Sequence, residues 1–361
     1  MVTGTRPHRF TVWVHQHKKL SISIAIIAVA CIAGATVATL SLLHSEPESP
    51  TPANTAKPTP PPEPVHYYSP LTGAEVADEA ATTQPVTAIM IENSPEARPQ
   101  SGLKQSGVVF EAIAEGGITR FLALYQEQKP QLVGPVRSVR MYYVDWLAAF
   151  DASVAHVGGS AAALAEVRNG NYRDIDQFFN AGTYWRATDR YAPHNVYTSF
   201  EKIDALNHAK GYTTSEFTSL ARKDSTAATE PTVTTVDVKI SSPLYNSRYT
   251  YNAATNTYDR AQASAPHLDR EDGVISPRVV VVLSVNESTV MEDGLRQNIQ
   301  AIGSGDGYVF QDGTAQKVTW HKASRTDQLT FTDEAGADVA LARGQTWITA
   351  VPTNGGGVTW Q

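Results

Sequence analysis

The chain has 361 residues, of which 42% are apolar and 18% charged, with a formal net charge of −7. That length suits about two domains at the usual ~100–200 residues each, and the apolar share is enough for a buried core. The acidic balance argues against nonspecific nucleic-acid binding, which needs a basic face. Cys31 is the single cysteine, so no intrachain disulfide can form. It lies in an apolar N-terminal segment, which leaves the folded part without a thiol for a zinc-thiolate site or thiol catalysis.

Residues 1–19 form a basic tail with Arg6, Arg9, Lys18 and Lys19. From Leu20 to Leu43 there follow 24 residues without a charge, more than the ~20 a helix needs to span a bilayer. No Lys or Arg comes next until Lys57. The positive-inside rule then places the N-terminus in the cytoplasm and the rest outside. The reading is a single-pass, uncleaved anchor at 20–43. A lipoprotein route would use "AVAC" (28–31) as its cleavage box, but Ala28 is small for the first position and 12 uncharged residues continue past the cysteine. Residues 44–66 are proline-rich with few large apolar side chains, and are expected to be an extended linker.

Globular composition begins near Tyr67. "PVTAIMIEN" (85–93), "GVVFEAIAE" (107–115) and "ITRFLALYQE" (118–127) read as strands, the last two joined by a Gly116-Gly117 hairpin turn. "SVRMYYVDWLAAF" (138–150) has helical spacing with Ser138 as N-cap, "ASVAHVGGS" (152–160) returns to strand, and helices are expected at 160–170 and 198–211. Strands alternating with helices predict an α/β N-terminal domain over 67–221. After the polar stretch 222–231, residues 232–361 show short alternating strands with Asn, Asp and Gly turns, a mostly-β C-terminal domain.

Charges inside an apolar hairpin mark the candidate site. With a two-residue turn, Glu115 pairs with Ile118, Ile113 with Arg120 and Glu111 with Leu122. That puts Glu111, Glu115 and Arg120 on one face, with Arg120 diagonal to both carboxylates. The pattern fits either a structural ion pair or a site in which Arg120 orients one carboxylate and leaves the other as acid/base. The two glutamates would be ~13 Å apart, too far for a two-carboxylate glycosidase, so a single-acid mechanism fits better. Arg137 and Arg140 stand at a helix start, where cations oppose the macrodipole and imply an anionic partner. "HVGGS" supplies His156 and Ser160 at a strand–turn–helix junction suited to an oxygen ligand; a lone histidine there is as well explained by core packing. The loop "DRYAPHNVYTS" brings Arg190, His194, Asn195 and Tyr197, with His194 a proton-transfer partner for Glu115 or Glu111. No metal-ligand spacing occurs and no cofactor is implied.

"SPLTG" (69–73), "ARPQSGL" (97–103), "EAIAEGGITRF" (111–121 with Phe110 before it), "GPVRSVR", "HVGGS" and "APHNVYT", then "APHLD" (265–269), "IGSGDGYVF" (302–310), "TWHKAS" (319–324) and "GQTWITAVP" (344–352), occur in this order in the YerB-like family, the DUF3048 proteins. The chain resembles that family over about residues 67–352. The resemblance implies a bacterial surface protein, lipid-anchored or membrane-anchored, with an N-terminal and a C-terminal domain; it brings no biochemical activity with it. The family usually has an Ala-Asp pair where this chain has Ser106-Gly107. The expected function is an extracytoplasmic envelope protein whose N-terminal domain binds an anionic or polysaccharide wall component through a Glu/Arg/His cleft. The alternative is a glycan-cleaving enzyme with Glu115 or Glu111 as general acid/base.

Overall fold

Apolar runs that leave no room for alternation build the centre of the molecule. Thr87–Glu92 (β1), Val108–Glu115 (β2) and Ile118–Tyr125 (β3) are buried along almost their whole length, as expected for strands covered on both faces. In the computed structural model, which describes residues 65–289 and 296–361, they form the middle of a ten-stranded mixed sheet. Ser153–Ala155 (β4) and Arg173–Asp174 (β5) extend it on one side, parallel to β1. The helix Met141–Leu147 (α1) precedes β4, and Ala161–Val167 (α2) runs between β4 and β5. The hairpin Tyr184–Arg186 (β6) and Val196–Thr198 (β7) and the helix Phe200–Ala209 (α3) follow.

The C-terminal half completes the same sheet. A five-stranded antiparallel sheet is built from Thr235–Lys239 (β8), Ser247–Asn252 (β9), Thr257–Gln262 (β10), Ala265–Pro266 (β11) and the last strand, Gly357–Trp360. Val279–Val285 (β12), Gly303–Gln311 (β13), Thr314–Lys322 (β14), Thr330–Thr332 (β15) and Thr346–Pro352 (β16) enter the large sheet, whose order is β15-β14-β13-β12-β16-β2-β3-β1-β4-β5. The join is β16 lying parallel to β2, with Thr346 opposite Val108 and Thr349 opposite Glu111. Residues 65–361 are thus one compact unit.

Alternation along the strands sorts the core into two layers. Ala88, Met90, Val108, Phe110 and Ala112 face α1 and α2, where Trp146 stacks on Phe110 at 5.1 Å. Ile89, Ile91, Val109, Phe121 and Ala123 face α3 and the five-stranded sheet.

The architecture is mostly β, and the expected α/β texture of the N-terminal half is reduced, among the described residues, to four short α-helices, α1, α2, α3 and a single turn over Glu79–Thr82. α1 starts at Met141, with Arg140 at the cap position and no side-chain cap, and ends in a 3-10 turn over Ala148–Phe150. Ser138 does not cap it, because its hydroxyl donates to the Val157 carbonyl at 2.8 Å. Ser160 and Ser199 do cap α2 and α3. The expected cytoplasmic tail, the span at 20–43 and the linker up to residue 64 lie outside the described residues. Among the described residues no helix is long and apolar enough to cross a membrane.

The shared sheet makes a prediction about partial chains. A fragment of residues 65–231 removes β16 from β2, uncovers the apolar edge of β2 and leaves Glu111 without Arg260 and Trp347. It is expected to lack a cooperative thermal transition and to aggregate, whereas 65–361 melts cooperatively; circular dichroism and light scattering compare the two.

Candidate functional site

The Gly116-Gly117 turn forms as read, both glycines taking positive φ (56° and 78°) as a tight hairpin of this hand requires. Glu115 faces Ile118. Beyond that pair a β-bulge between Ile113 and Glu115 shifts the register by one: Ile113 meets Thr119, Ala112 meets Arg120 and Glu111 meets Phe121. A one-residue shift exchanges faces. Glu111 therefore lies on the five-stranded-sheet side and Arg120 on the helix side, which corrects the single-face arrangement expected from counting. The bulge turns Glu115 to Arg120's side.

Glu111 is 1% exposed and wholly enclosed. Its Oε2 accepts from the Arg260 guanidinium and from the Trp347 indole, both at 2.9 Å, and its Oε1 from the Thr119 hydroxyl at 3.2 Å. Arg260, equally buried, also donates to the Tyr249 hydroxyl, the Gln262 side-chain oxygen and His267 Nδ1. Its guanidinium lies 4.5 Å from the Trp347 ring centroid. His267 passes the chain on to Gln100 at 3.0 Å. Burial, reinforced by Arg260 and Arg98, holds the His267 pKa well below its ordinary value, so the ring is neutral, accepting at Nδ1 and donating at Nε2.

Glu115 sits at the half-open end of the strands. Its Oε2 accepts from Arg120 at 3.1 Å and its Oε1 from Arg140. Arg120 also donates to the Ser138 carbonyl at 2.8 Å and stands opposite Glu92 across β1 and β3. Glu92 is buried. Its Oε1 meets His194 Nδ1 at 2.9 Å and the Ser94 hydroxyl at 3.0 Å, while its Oε2 has no hydrogen-bond partner. Arg137 lies 3.3 Å from Glu92, close enough to pair but not aligned as a hydrogen bond. Its guanidinium makes no side-chain hydrogen bond among the described residues and is 26% exposed. Burial pulls its pKa below the ordinary value, Glu92 opposes this, and Arg120 adds to it.

The structure thus brings together Glu115, Arg120, Arg137, Arg140 and His194, and adds Glu92, which the sequence reading did not single out. Glu92 is the sole charge in its strand segment and stands next to Asn93-Ser94, the signal that was available. The remaining candidates serve the scaffold. His156 is buried, with Nδ1 on the Gly158 carbonyl at 2.8 Å and Nε2 on Asp174 at 3.0 Å. Burial works to raise the Asp174 pKa, but His156 and Arg168 carry it below its ordinary value. Arg190 ties to the Glu96 and Pro99 carbonyls. Asn195 joins Arg186 to the Ala187 carbonyl. Among the described residues the buried Tyr197 hydroxyl has no well-aligned hydrogen-bond partner; burial raises its pKa, and nearby Arg190 and Arg270 oppose the rise. Gly107 packs so closely on Leu71 and Thr72 that a Cβ would come within 2.7 Å of each. Among the described residues no group of three or more metal-binding side chains occurs.

Fold and site together define a two-part extended β protein whose halves share one sheet. Residues 71–213 match the family described as "Protein of unknown function (DUF3048) N-terminal domain" and residues 236–348 match its C-terminal domain. The chain belongs to the DUF3048 family. It is 32% identical over 289 residues to "Putative lipoprotein YerB" of Bacillus subtilis (strain 168), spanning 79% of this chain and 86% of that protein. The crystal structure of YerB from Bacillus subtilis superposes with a TM-score of 0.73 at 29% identity, over 81% of this chain and 99% of that one.

Two predictions separate the carboxylates. Glu111→Ala strands a buried guanidinium and is expected to lower stability by about 3–5 kcal/mol. Glu115→Gln, in a half-open ion pair that water can reach, is expected to lower it by only about 1 kcal/mol; chemical denaturation of both variants gives the comparison. His267 sets a pH dependence. Its depressed folded pKa means the unfolded chain gains a proton that the folded one refuses, so this group's effect is nil above its ordinary value of about 6.5 and destabilises as pH falls below it. His267→Gln, which can accept from Arg260 and donate to Gln100, should lose less melting temperature than the parent between about pH 7 and pH 5.

Proposed function

We propose that this is a membrane-tethered, extracytoplasmic cell-envelope protein that binds an anionic or polysaccharide envelope component at the Glu92–Glu115–Arg137 cluster. The basic tail before an uncharged run, the proline-rich segment and the lipoprotein name of the Bacillus relative support the location. Within the folded unit, the entering segment packs at the far end of the strands: Ser69 donates to Gln126 and Glu127, just past the end of β3 where Tyr125 pairs with Thr87. Glu92 and Arg120 close the other end of those strands, about 17 Å away at ~3.4 Å per residue.

The observation that carries the reading is Arg137. It is a half-buried cation kept beside another guanidinium, paired with Glu92 at 3.3 Å, and among the described residues its side chain makes no hydrogen bond. A planar five-donor group held in that state suits a carboxylate or phosphate on a ligand. His194, at 23% exposure, and the rim of Glu115 supply further polar contacts.

Glycan cleavage remains the alternative reading, with Glu115 as the acid, since Glu111 is sealed from any ligand. Glu115 is poorly arranged for it. A general acid must reach the leaving group, and each Glu115 oxygen is already engaged by a guanidinium. The protein purified in detergent is expected to bind cell-wall material without releasing soluble fragments. Arg137→Gln should weaken that binding about tenfold, the scale of one charge-assisted contact, with an unchanged melting temperature. Release of glycan fragments that stops in Glu115→Gln would establish the enzyme instead.

A further inference from the structure

Two adjacent phenylalanines stand out on the surface close to the cluster. Phe178 is 68% exposed and Phe179 72%. They are held on a rigid turn. Asp176, fully buried, accepts through Oδ1 from the backbone N–H groups of Gly158 and Phe178, both at 3.2 Å, and through Oδ2 from Arg168 at 2.6 Å. The Phe179 N–H closes the turn onto the Asp176 carbonyl at 3.1 Å. Arg168 then lies over the Phe179 ring at 4.9 Å, and the edge of the Phe178 ring lies 3.3 Å from where a Cβ on Gly158 would stand. A buried carboxylate with three donors is a substantial device for a turn whose side chains face water. Scattered exposed apolar residues need no explanation; a scaffolded pair does.

Position relates the pair to the ligand cluster. Gly158 accepts from the Val139 N–H, and Arg137 accepts through its carbonyl from Val157. The 156–158 segment therefore sits one strand spacing from the segment that carries Arg137, and the phenylalanine turn, joined to it by the Gln177 N–H on the His156 carbonyl at 2.9 Å, one spacing further, about 10 Å from Arg137's backbone in all. The pair lies at the end of the sheet away from the entering chain. Flat apolar rings two strand spacings from a guanidinium suit a chain of sugar rings, whose C–H faces stack on aromatics while acidic groups further along take hydrogen bonds.

We infer that Phe178 and Phe179 form a stacking platform for the sugar rings of an acidic polysaccharide whose charged groups reach Arg137. This rests on the reading of the Arg137 cluster as the ligand site and narrows its ligand from any anion to a ring-bearing one.

The test uses the full chain in detergent and three probes: polygalacturonate, an acidic polymer of sugar rings; polyphosphate, an acidic polymer without them; and vesicles of anionic phospholipid. The parent protein should bind polygalacturonate more tightly than polyphosphate at equal charge. The double variant Phe178→Ala/Phe179→Ala should lose roughly tenfold for polygalacturonate and nothing for polyphosphate, and Phe178→Tyr/Phe179→Tyr, which keeps the rings, should restore it. Arg137→Gln should weaken both polymers. Unchanged polygalacturonate binding in the alanine variant overturns the platform while leaving the Arg137 site standing. Loss in the alanine variant with no effect of Arg137→Gln keeps the platform and overturns the Arg137 site. Phenylalanine-dependent binding to vesicles but not to polygalacturonate assigns the pair to a lipid surface and overturns the sugar. If the parent binds neither polymer, both readings fall.

Discussion

The pairing of Glu111 with Arg260 holds this molecule together in a way no apolar contact does. Each is a charge taken out of water, a transfer that is expensive unless the partner and the surrounding hydrogen bonds replace the lost solvent. Here they do. Arg260 reaches five acceptors and ring faces, Glu111 three donors, and the chain of contacts runs on through His267 to Gln100. The contributors come from residues 100, 111, 119, 249, 260, 262, 267 and 347. Both family segments must be in place before Glu111 meets Arg260 and Trp347 or His267 meets Gln100. A hydrophobic interface tolerates sliding; a buried ion pair with fixed donors does not, so it also fixes the register in which β16 meets β2.

The same constraint shows why the sequence was legible in some places and opaque in others. Local signals carried well. Gly116-Gly117 gave the turn, continuous apolar runs gave the central strands, and the helices expected over 160–170 and 198–211 form, capped by Ser160 and Ser199. The bulge after Ile113 has no such signal, because Ala114 is as suited to a regular strand as to a bulge, yet it decides which face each carboxylate takes. The pairing of β16 with β2 joins residues more than two hundred positions apart. Nothing in either strand names the other, so texture alone divided the chain at 222–231 where the sheet continues. Arg260 was open to a closer reading: in "TYDRAQ" it shares the inward register with Tyr258 and Gln262, and an arginine at such a position needs a buried acid somewhere in the chain.

Two carboxylates four residues apart on one strand thus end in opposite environments because one extra residue lies between them. On one side Glu111 is enclosed with its cation, indole and hydroxyl, a group whose removal should be felt by the whole fold. On the other, Glu115 shares the strand ends with Arg120, Arg140 and, through Glu92, Arg137 and His194. The enclosed pair fixes the strands that hold this second cluster, so the cluster itself need not contribute much to stability. That freedom is what lets Arg137 keep donors unspent. A side chain whose hydrogen bonds were required by the fold could not present them to a ligand, and the rigid turn that presents Phe178 and Phe179 follows the same logic, with buried Asp176 carrying the structural demand and the exposed rings left without one.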